Sequence, residues 1–265
     1  MKAFLKQHRL IAFFVIAYAL SWYPWILALV RGRTSGPNPL GPLVAGIVVT
    51  AIIYGRSGLR EFFSRLVRWR VGVKWYAVAL IVPVLVCLIA AAITFCFALR
   101  SQISVLSIEK MRELPDRFLF ILLFIGLGEE PGWRGFALPH LQTKHSPLIA
   151  SLILAPLWAL WHLPLIGNEF PLPIVPAFLL SIFGGTFAQT WLFNRTKGSV
   201  LLPMLFHATI NTVGAGLIFP LFSGAMLVLL WWIYGLVWLC AGLGALLFSA
   251  NKSVQAMAAP IITAG

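Results

Sequence analysis

Two adjacent carboxylates, Glu129 and Glu130, stand in the apolar stretch RFLFILLFIGLGEEPGWRGFALP, in a chain with only 7 Asp and Glu among 265 residues. An acidic side chain at the centre of a membrane helix costs about 2.5 to 3.5 kcal/mol, so the pair needs a partner or water. On one helix Glu130 and Arg134 are four residues apart and share a face, while Glu129 points about 100° away. Glu130 therefore reads as the ion-paired carboxylate, and Glu129, without a local cation, as a general base. Two further polar pairs have the same spacing: Trp158 and His162 in PLWALWHLPL, and His207 and Asn211 in MLFHATINT. Each pair projects from one helical face.

This set can activate water. A Glu and a His share the water and its proton, and a second His with an Asn donates to the oxyanion of a tetrahedral intermediate, which describes hydrolysis of an acyl bond. A second chemistry fits the same residues. A carboxylate and two imidazoles form a catalytic zinc set, with Glu129, His162 and His207 as ligands, although the HExxH spacing is absent. The cofactor expectation is accordingly none, or one divalent metal such as zinc. A plainer alternative is that Glu129, Glu130 and Arg134 form a structural ion cluster, or that the span ends at Gly128 and the acids lie among headgroups. A lone intramembrane His or Asn also serves to join helices. Three separate spans carrying Glu, His and His with Asn weigh against that alternative.

The elements that must position these residues are membrane helices. The chain is 60% hydrophobic and 10% charged, and apolar runs long enough to cross a bilayer recur along it. The reading is an all-α, polytopic integral membrane protein of about eight transmembrane helices. The spans are Leu10 to Val30, Pro39 to Tyr54, Trp75 to Leu99, Phe118 to about Pro139, Pro147 to Ile166, Leu172 to Phe193, Ser199 to Phe219 and Met226 to Phe248. Residues 1–265 form a single membrane domain, with the motifs in a core at 118–219. Gly128 and Gly132 make a small-xxx-small pair that admits a second helix, and Pro131 removes a backbone donor. Depths counted from the span ends disagree by about 10 Å among Glu130, His162 and His207, so a helix is broken or a boundary is displaced. Pro147, Pro156 and Pro164 can supply the break.

Lys and Arg gather on one side: at Lys2, Lys6 and Arg9, from Arg56 to Lys74, at Arg134 and Lys144, at Arg195 and Lys197, and at Lys252. The other side has Arg31, Arg33, Arg100, Lys110, Arg112 and Arg117, next to Glu109, Glu113 and Asp116. The positive-inside rule then puts both termini in the cytoplasm of a multi-pass cell-membrane protein. The net charge of +13 is spread over loops that border apolar spans. Anionic membrane lipid is therefore the expected partner, and nucleic acid is not. Leu59, Phe62, Phe63, Leu66 and Val67 recur at helical spacing among arginines, as in a helix lying in the cytoplasmic interface, with a basic loop as the alternative. Ala17-Tyr18-Ala19 has the look of a signal-peptide cleavage site, yet apolar residues continue to Val30, as in an uncleaved anchor. Cys87, Cys96 and Cys240 read as small packing residues.

The motifs resemble those of the CPBP family of intramembrane proteases, whose eukaryotic relatives include the type II CAAX prenyl endopeptidase. That family's pattern of EExxxR, FxxxH and HxxxN on three membrane helices is matched by Glu129-Glu130-Pro131-Gly132-Trp133-Arg134, by Trp158 to His162, and by His207 to Asn211. Trp158 replaces the Phe, and RWRVGVKWY, Arg68 to Tyr76, is similar to a stretch upstream of the motifs in bacterial members. The resemblance implies an endopeptidase that cleaves a prenylated or membrane-associated peptide, with Glu129 and His162 activating water. His207 and Asn211 would form the oxyanion site, and Glu130, Arg134 and Trp158 would support it. Both metal-dependent and metal-free mechanisms are argued for that family. It also implies a peptide or lipidated peptide as partner, and a role in bacteriocin immunity or in processing exported peptides. Two other function classes fit the composition: a proton-coupled transporter, against which no inverted repeat is visible, and a non-catalytic immunity or scaffolding protein.

Overall fold

The structure, a computed structural model, describes residues 2–97, 104 and 107–250. Leu99, Arg100 and Lys252, which enter the span and charge readings above, lie outside the described residues, as does the side chain of Lys2. Helices follow one another as α1 (Lys2–Gln7), α2 (Arg9–Val30), α3 (Gly41–Leu66), α4 (Val73–Phe95) and α5 (Ile108–Arg112). Next comes α6, residues 114–142, a continuous but irregular rod. It is α-helical at Leu114–Phe120, Leu127–Glu130 and Leu138–Gln142, and opens into wide π turns at Ile121–Gly126 and Pro131–Ala137. Then follow α7 (Pro147–Trp161), α8 (Val175–Arg195), α9 (Leu201–Val213), which runs on into a π turn at Gly214–Ile218, and α10 (Gly224–Ala250). No β-strand occurs among the described residues.

Six segments are long and apolar enough to cross a bilayer: Arg9–Val30, Gly41–Leu66, Val73–Phe95, Leu172–Arg195, Leu201–Leu221 and Gly224–Phe248. With the apolar α6 and α7 they make an all-α, polytopic membrane protein. The two expected spans missing from the six are the two that carry Glu129 and His162. Pro131 has no N–H to donate, so the helix around it widens instead of continuing its i→i−4 ladder. The fifth span is shorter than expected. α7 has 15 residues and stops at Trp161, where His162 caps it with φ −79° and ψ 1°, and a 3-10 turn at Leu163–Leu165 follows. His162 thus sits at the end of its helix rather than within it.

Beyond the expected end of the second span, α3 continues as a helix. Gly55, at φ 64° and ψ −148°, kinks it, and the residues expected to lie in the interface form its last turns. Phe62 and Arg65 of that part are buried, whereas Phe63 and Val67 are exposed. Arg65 and Arg68 both reach Glu61, at 3.2 and 3.6 Å. The chain after α3 is clasped to the loop after α8: Ser199 Oγ donates to the Arg68 carbonyl at 2.8 Å, Val200 N to the Arg65 carbonyl at 2.9 Å, and Arg68 to the Lys197 carbonyl. That clasp occupies the start of the RWRVGVKWY stretch and ties it to the loop leading into α9.

The core is aromatic where α2 meets α6. Phe13 stacks on Phe136 at 5.0 Å and meets Trp133 edge-on at 5.6 Å. The first apolar helix is also bonded to α7, since Tyr18 Oη donates to the Leu157 carbonyl at 2.6 Å and Trp22 Nε1 to the Trp161 carbonyl at 3.1 Å. It behaves as a member of the bundle. Of the cysteines only Cys87 packs inside; Cys96 and Cys240 are exposed on the apolar exterior, so the packing reading fails for those two.

Candidate active site

Residues 128–138 of α6 are buried on every side. The glycines make this possible: a Cβ on Gly128 would stand 2.5 Å from the Pro39 carbonyl oxygen, and one on Gly132 would stand 2.5 Å from that of Pro42. The N-terminal turn of α3 thus lies directly on α6, as the small-xxx-small spacing predicts.

The two carboxylates have separate surroundings. Glu130, with no exposed surface, accepts from Arg134 Nη1 at 3.0 Å and from His207 Nδ1 at 2.7 Å, both at Oε1. Its Oε2 is buried without a partner among the described residues, as are Nε and Nη2 of Arg134, whose guanidinium carbon lies 4.3 Å from the centre of the Trp158 ring. Among the described residues Glu129 has no cation within ion-pair distance. Its Oε2 accepts from two indole N–H groups, Trp158 Nε1 at 2.9 Å and Trp133 Nε1 at 3.4 Å. No described residue bonds its Oε1.

The histidine tautomers follow from their partners. A carbonyl oxygen can only accept, so His162 Nδ1, 2.8 Å from the Trp158 carbonyl, carries the proton and Nε2 is a bare acceptor when the ring is neutral. The bond also satisfies one of the last carbonyls of α7, which explains the four-residue spacing of Trp158 and His162. The Trp158 indole makes edge contacts with both imidazoles, at 5.4 Å to His162 and 5.8 Å to His207. Glu129, Trp158, His162, His207 and Asn211 all line one cavity of about 1110 Å³. Five of the seven residues singled out in sequence therefore share a wall, while Glu130 and Arg134 stand behind it.

Two residues of the site were missed in sequence. Trp133 lies four residues after Glu129, and that spacing was signal enough to find it. Gln189, buried in the cavity wall with neither amide atom partnered among the described residues, was marked only by being an amide in an apolar span.

At one end the cavity is lined by Pro37, Glu113, Asp116, Arg117, Glu169 and Pro220. Asp116 and Arg117 lie in the first turns of α6 and the others in connections, at the end of the bundle opposite the one where Arg68 meets Lys197. As for a metal, no three of the His, Cys, Asp and Glu side chains among the described residues group closely enough to hold an ion. His207 Nδ1 and Glu129 Oε2 already have protein partners. The ligand set of Glu129, His162 and His207 does not converge, and no step below passes through a metal.

Comparisons with known proteins agree with the motif reading. Residues 113–213 match the family described as type II CAAX prenyl endopeptidase Rce1-like. The chain is also similar to CAAX prenyl protease 2 of Methanococcus maripaludis, 27% identical over 218 residues, which cover 75% of this chain and 79% of the relative. The resemblance read from the three motifs is thereby borne out.

Proposed function

We propose that the protein is an intramembrane endopeptidase that hydrolyses a peptide bond in a prenylated or otherwise membrane-associated peptide. The observation that carries this reading is the division of labour between the two carboxylates, one ion-paired behind the cavity wall and one uncharged in its contacts and facing the cavity. A peptide entering the cavity would place its carbonyl between Glu129 and His207. Glu129 and the bare Nε2 of His162 take the proton of a water held between them, and the water attacks the carbonyl carbon. His207 is anchored through Nδ1 to Glu130, so its protonated form presents Nε2–H to the cavity. With the Asn211 amide it donates to the oxyanion. Collapse of the intermediate needs a proton on the leaving amine, and the acid formed on Glu129 or His162 returns it. Trp133 and Trp158 hold Glu129 through Oε2 and leave Oε1 for the water.

Cleavage of a farnesylated CAAX-type reporter peptide by purified protein tests the reading. Glu129→Ala is expected to lower turnover about 10²- to 10⁴-fold while the protein stays folded; full turnover in that variant removes Glu129 from the mechanism. A chelator lane reports separately on metal.

The charge asymmetry supports a cytoplasmic location for both termini. The end of the cavity lined by Glu169 then lies on the outer side of the membrane, which suits a lipidated or exported peptide presented from that side. In intact cells a cysteine replacing Glu169 is expected to react with a membrane-impermeant maleimide, and one replacing Lys197 is not; the opposite pattern inverts the topology.

A further inference from the structure

Gln189 is an amide held ready for something the fold does not supply. Its side chain has no exposed surface, and neither Nε2 nor Oε1 finds a partner among the described residues. A buried donor or acceptor left unpaired destabilises a fold. The backbone that carries it is fixed, because the next residue, Thr190, shares a hydrogen bond with Ser151 of α7 at 2.8 Å. Gln189 lines the cavity, as do Gly185 one turn before it and Phe178 two turns before that. At spacings of seven and four residues the three share one face of α8. Phe178 meets the His162 ring edge-on at 5.4 Å, so this face begins beside the site. Counted from the loop 196–200 that joins α8 to α9, Gln189 and His207 are each six residues, about 9 Å, into their helices.

The neighbouring glycines of α8 differ in what they do. A Cβ on Gly184 would collide with the α10 backbone at Trp238 and Leu239, so its small size joins two helices. A Cβ on Gly185 would meet nothing within 4 Å, although the residue is buried. Glycine weakens a helix relative to alanine, and no packing contact asks for it at this position. Its missing side chain leaves open space in the cavity wall, one turn from the unpaired amide.

We infer that Gln189 binds the backbone N–H and C=O of one substrate residue next to the bond that is cut, with the peptide lying in the open space over Gly185. This inference rests on the peptidase reading above. The chemistry selects the ligand. A peptide drawn from water into an apolar cavity brings N–H and C=O groups that need new partners. In an extended chain the N–H and C=O of one residue point to the same side, which is how neighbouring strands exchange two bonds. A carboxamide has an acceptor and a donor side by side. It accepts from the N–H at Oε1 and donates from Nε2 to the C=O, reading the main chain whatever the side chains are. Gln189 is thus a substrate-positioning residue that sets the register of the peptide against Glu129 and His207.

The experiment measures kcat/KM for the farnesylated CAAX-type reporter peptide and for analogues in which one backbone amide at a time, other than the scissile one, is replaced by its ester, with oxygen in place of N–H. Wild type is expected to cut one analogue about 3- to 10-fold less efficiently than the parent. Gln189→Met, which keeps the length and loses the amide, is expected to cut the parent at about that lowered level and to treat that analogue like the parent. Gly185→Leu fills the open space and is expected to raise KM several-fold, with an unfolding temperature in detergent no lower than that of wild type, since Leu is the better helix former. Each amide-to-ester ratio is taken within one protein, so a general loss of turnover does not mimic it. If wild type uses every analogue like the parent, or Gln189→Met keeps the wild-type pattern, the inference is overturned and the peptidase reading stands. A fall in kcat that is the same for all peptides in Gln189→Met also overturns it, and assigns the amide to water or to the fold. An unchanged KM in Gly185→Leu overturns the placement of the peptide over Gly185. Failure of wild type to cut the parent peptide overturns the peptidase reading as well.

Discussion

α4 and the middle of α6 belong to one bundle and solve opposite problems. α4 turns Ala79, Pro83, Val86, Cys87, Ala90 and Thr94 inward, roughly one residue per turn, and leaves Ile81, Leu85, Leu88, Ile89 and Ile93 on its outer face. Small residues face protein and large apolar ones face lipid, because lipid tails offer no hydrophobic gain and close backbone approach is what joins helices there. Its polar Thr94 is satisfied within its own helix, donating to the Ala90 carbonyl at 2.7 Å. Residues 128–138 of α6 face protein on every side and carry two carboxylates and a guanidinium, whose contacts reach across three helices. The lesson is that charge survives inside this membrane protein where other helices have replaced lipid all round, and the widened turns and glycines of α6 are what let them approach.

The comparison breaks most readily at Glu130. Glu130→Ala leaves Arg134 and His207 buried without their acceptor, and removing one partner of a buried pair costs about 3 to 5 kcal/mol. Thermal unfolding in detergent is expected to show a large loss of stability, in contrast to the activity loss with retained fold expected of Glu129→Ala. Similar stability in the two variants would mean that the carboxylates do not divide structure from chemistry.

Trp158→Phe sharpens the contrast, since it restores the aromatic of the family pattern and removes one N–H from Glu129 Oε2. A single buried hydrogen bond is worth about 1 to 2 kcal/mol, so kcat/KM should fall about 5- to 30-fold with little change in unfolding temperature. An unchanged kcat/KM would show that Trp133 alone positions Glu129. The smallest effect belongs to the lipid side. Leu88→Ala on the outer face of α4 is expected to shift stability by less than about 0.5 kcal/mol, and a larger shift would place another helix or subunit on that face.

Much of the site was legible in sequence because its spacing is helical. The pairs Glu130 with Arg134, Trp158 with His162 and His207 with Asn211 are each four residues apart, and one helical turn brings such residues to one side whatever the rest of the fold does. The close approach at Gly128 and Gly132 was legible for the same local reason. The end of α7 at Trp161 was not, because apolar residues continue through Leu163 and Ile166, and hydropathy does not register a capping bond from an imidazole. The burial of Phe62 and Arg65 was equally hidden, since an amphipathic pattern does not say whether its apolar face meets lipid or protein.

Sequence by itself determined that this is a polytopic helical membrane protein, which residues share each helical face, and which carboxylate has a cation four residues away. Those properties depend on composition and on the 3.6-residue repeat alone. Tertiary structure decided that His207 is held by Glu130, that two indoles hold Glu129, that the three motif-bearing helices close on one cavity together with α8 and α10, and that Arg117 rests on Gly216. Each of these joins residues on different helices, and their meeting depends on helix tilt, register and packing, which no local periodicity encodes.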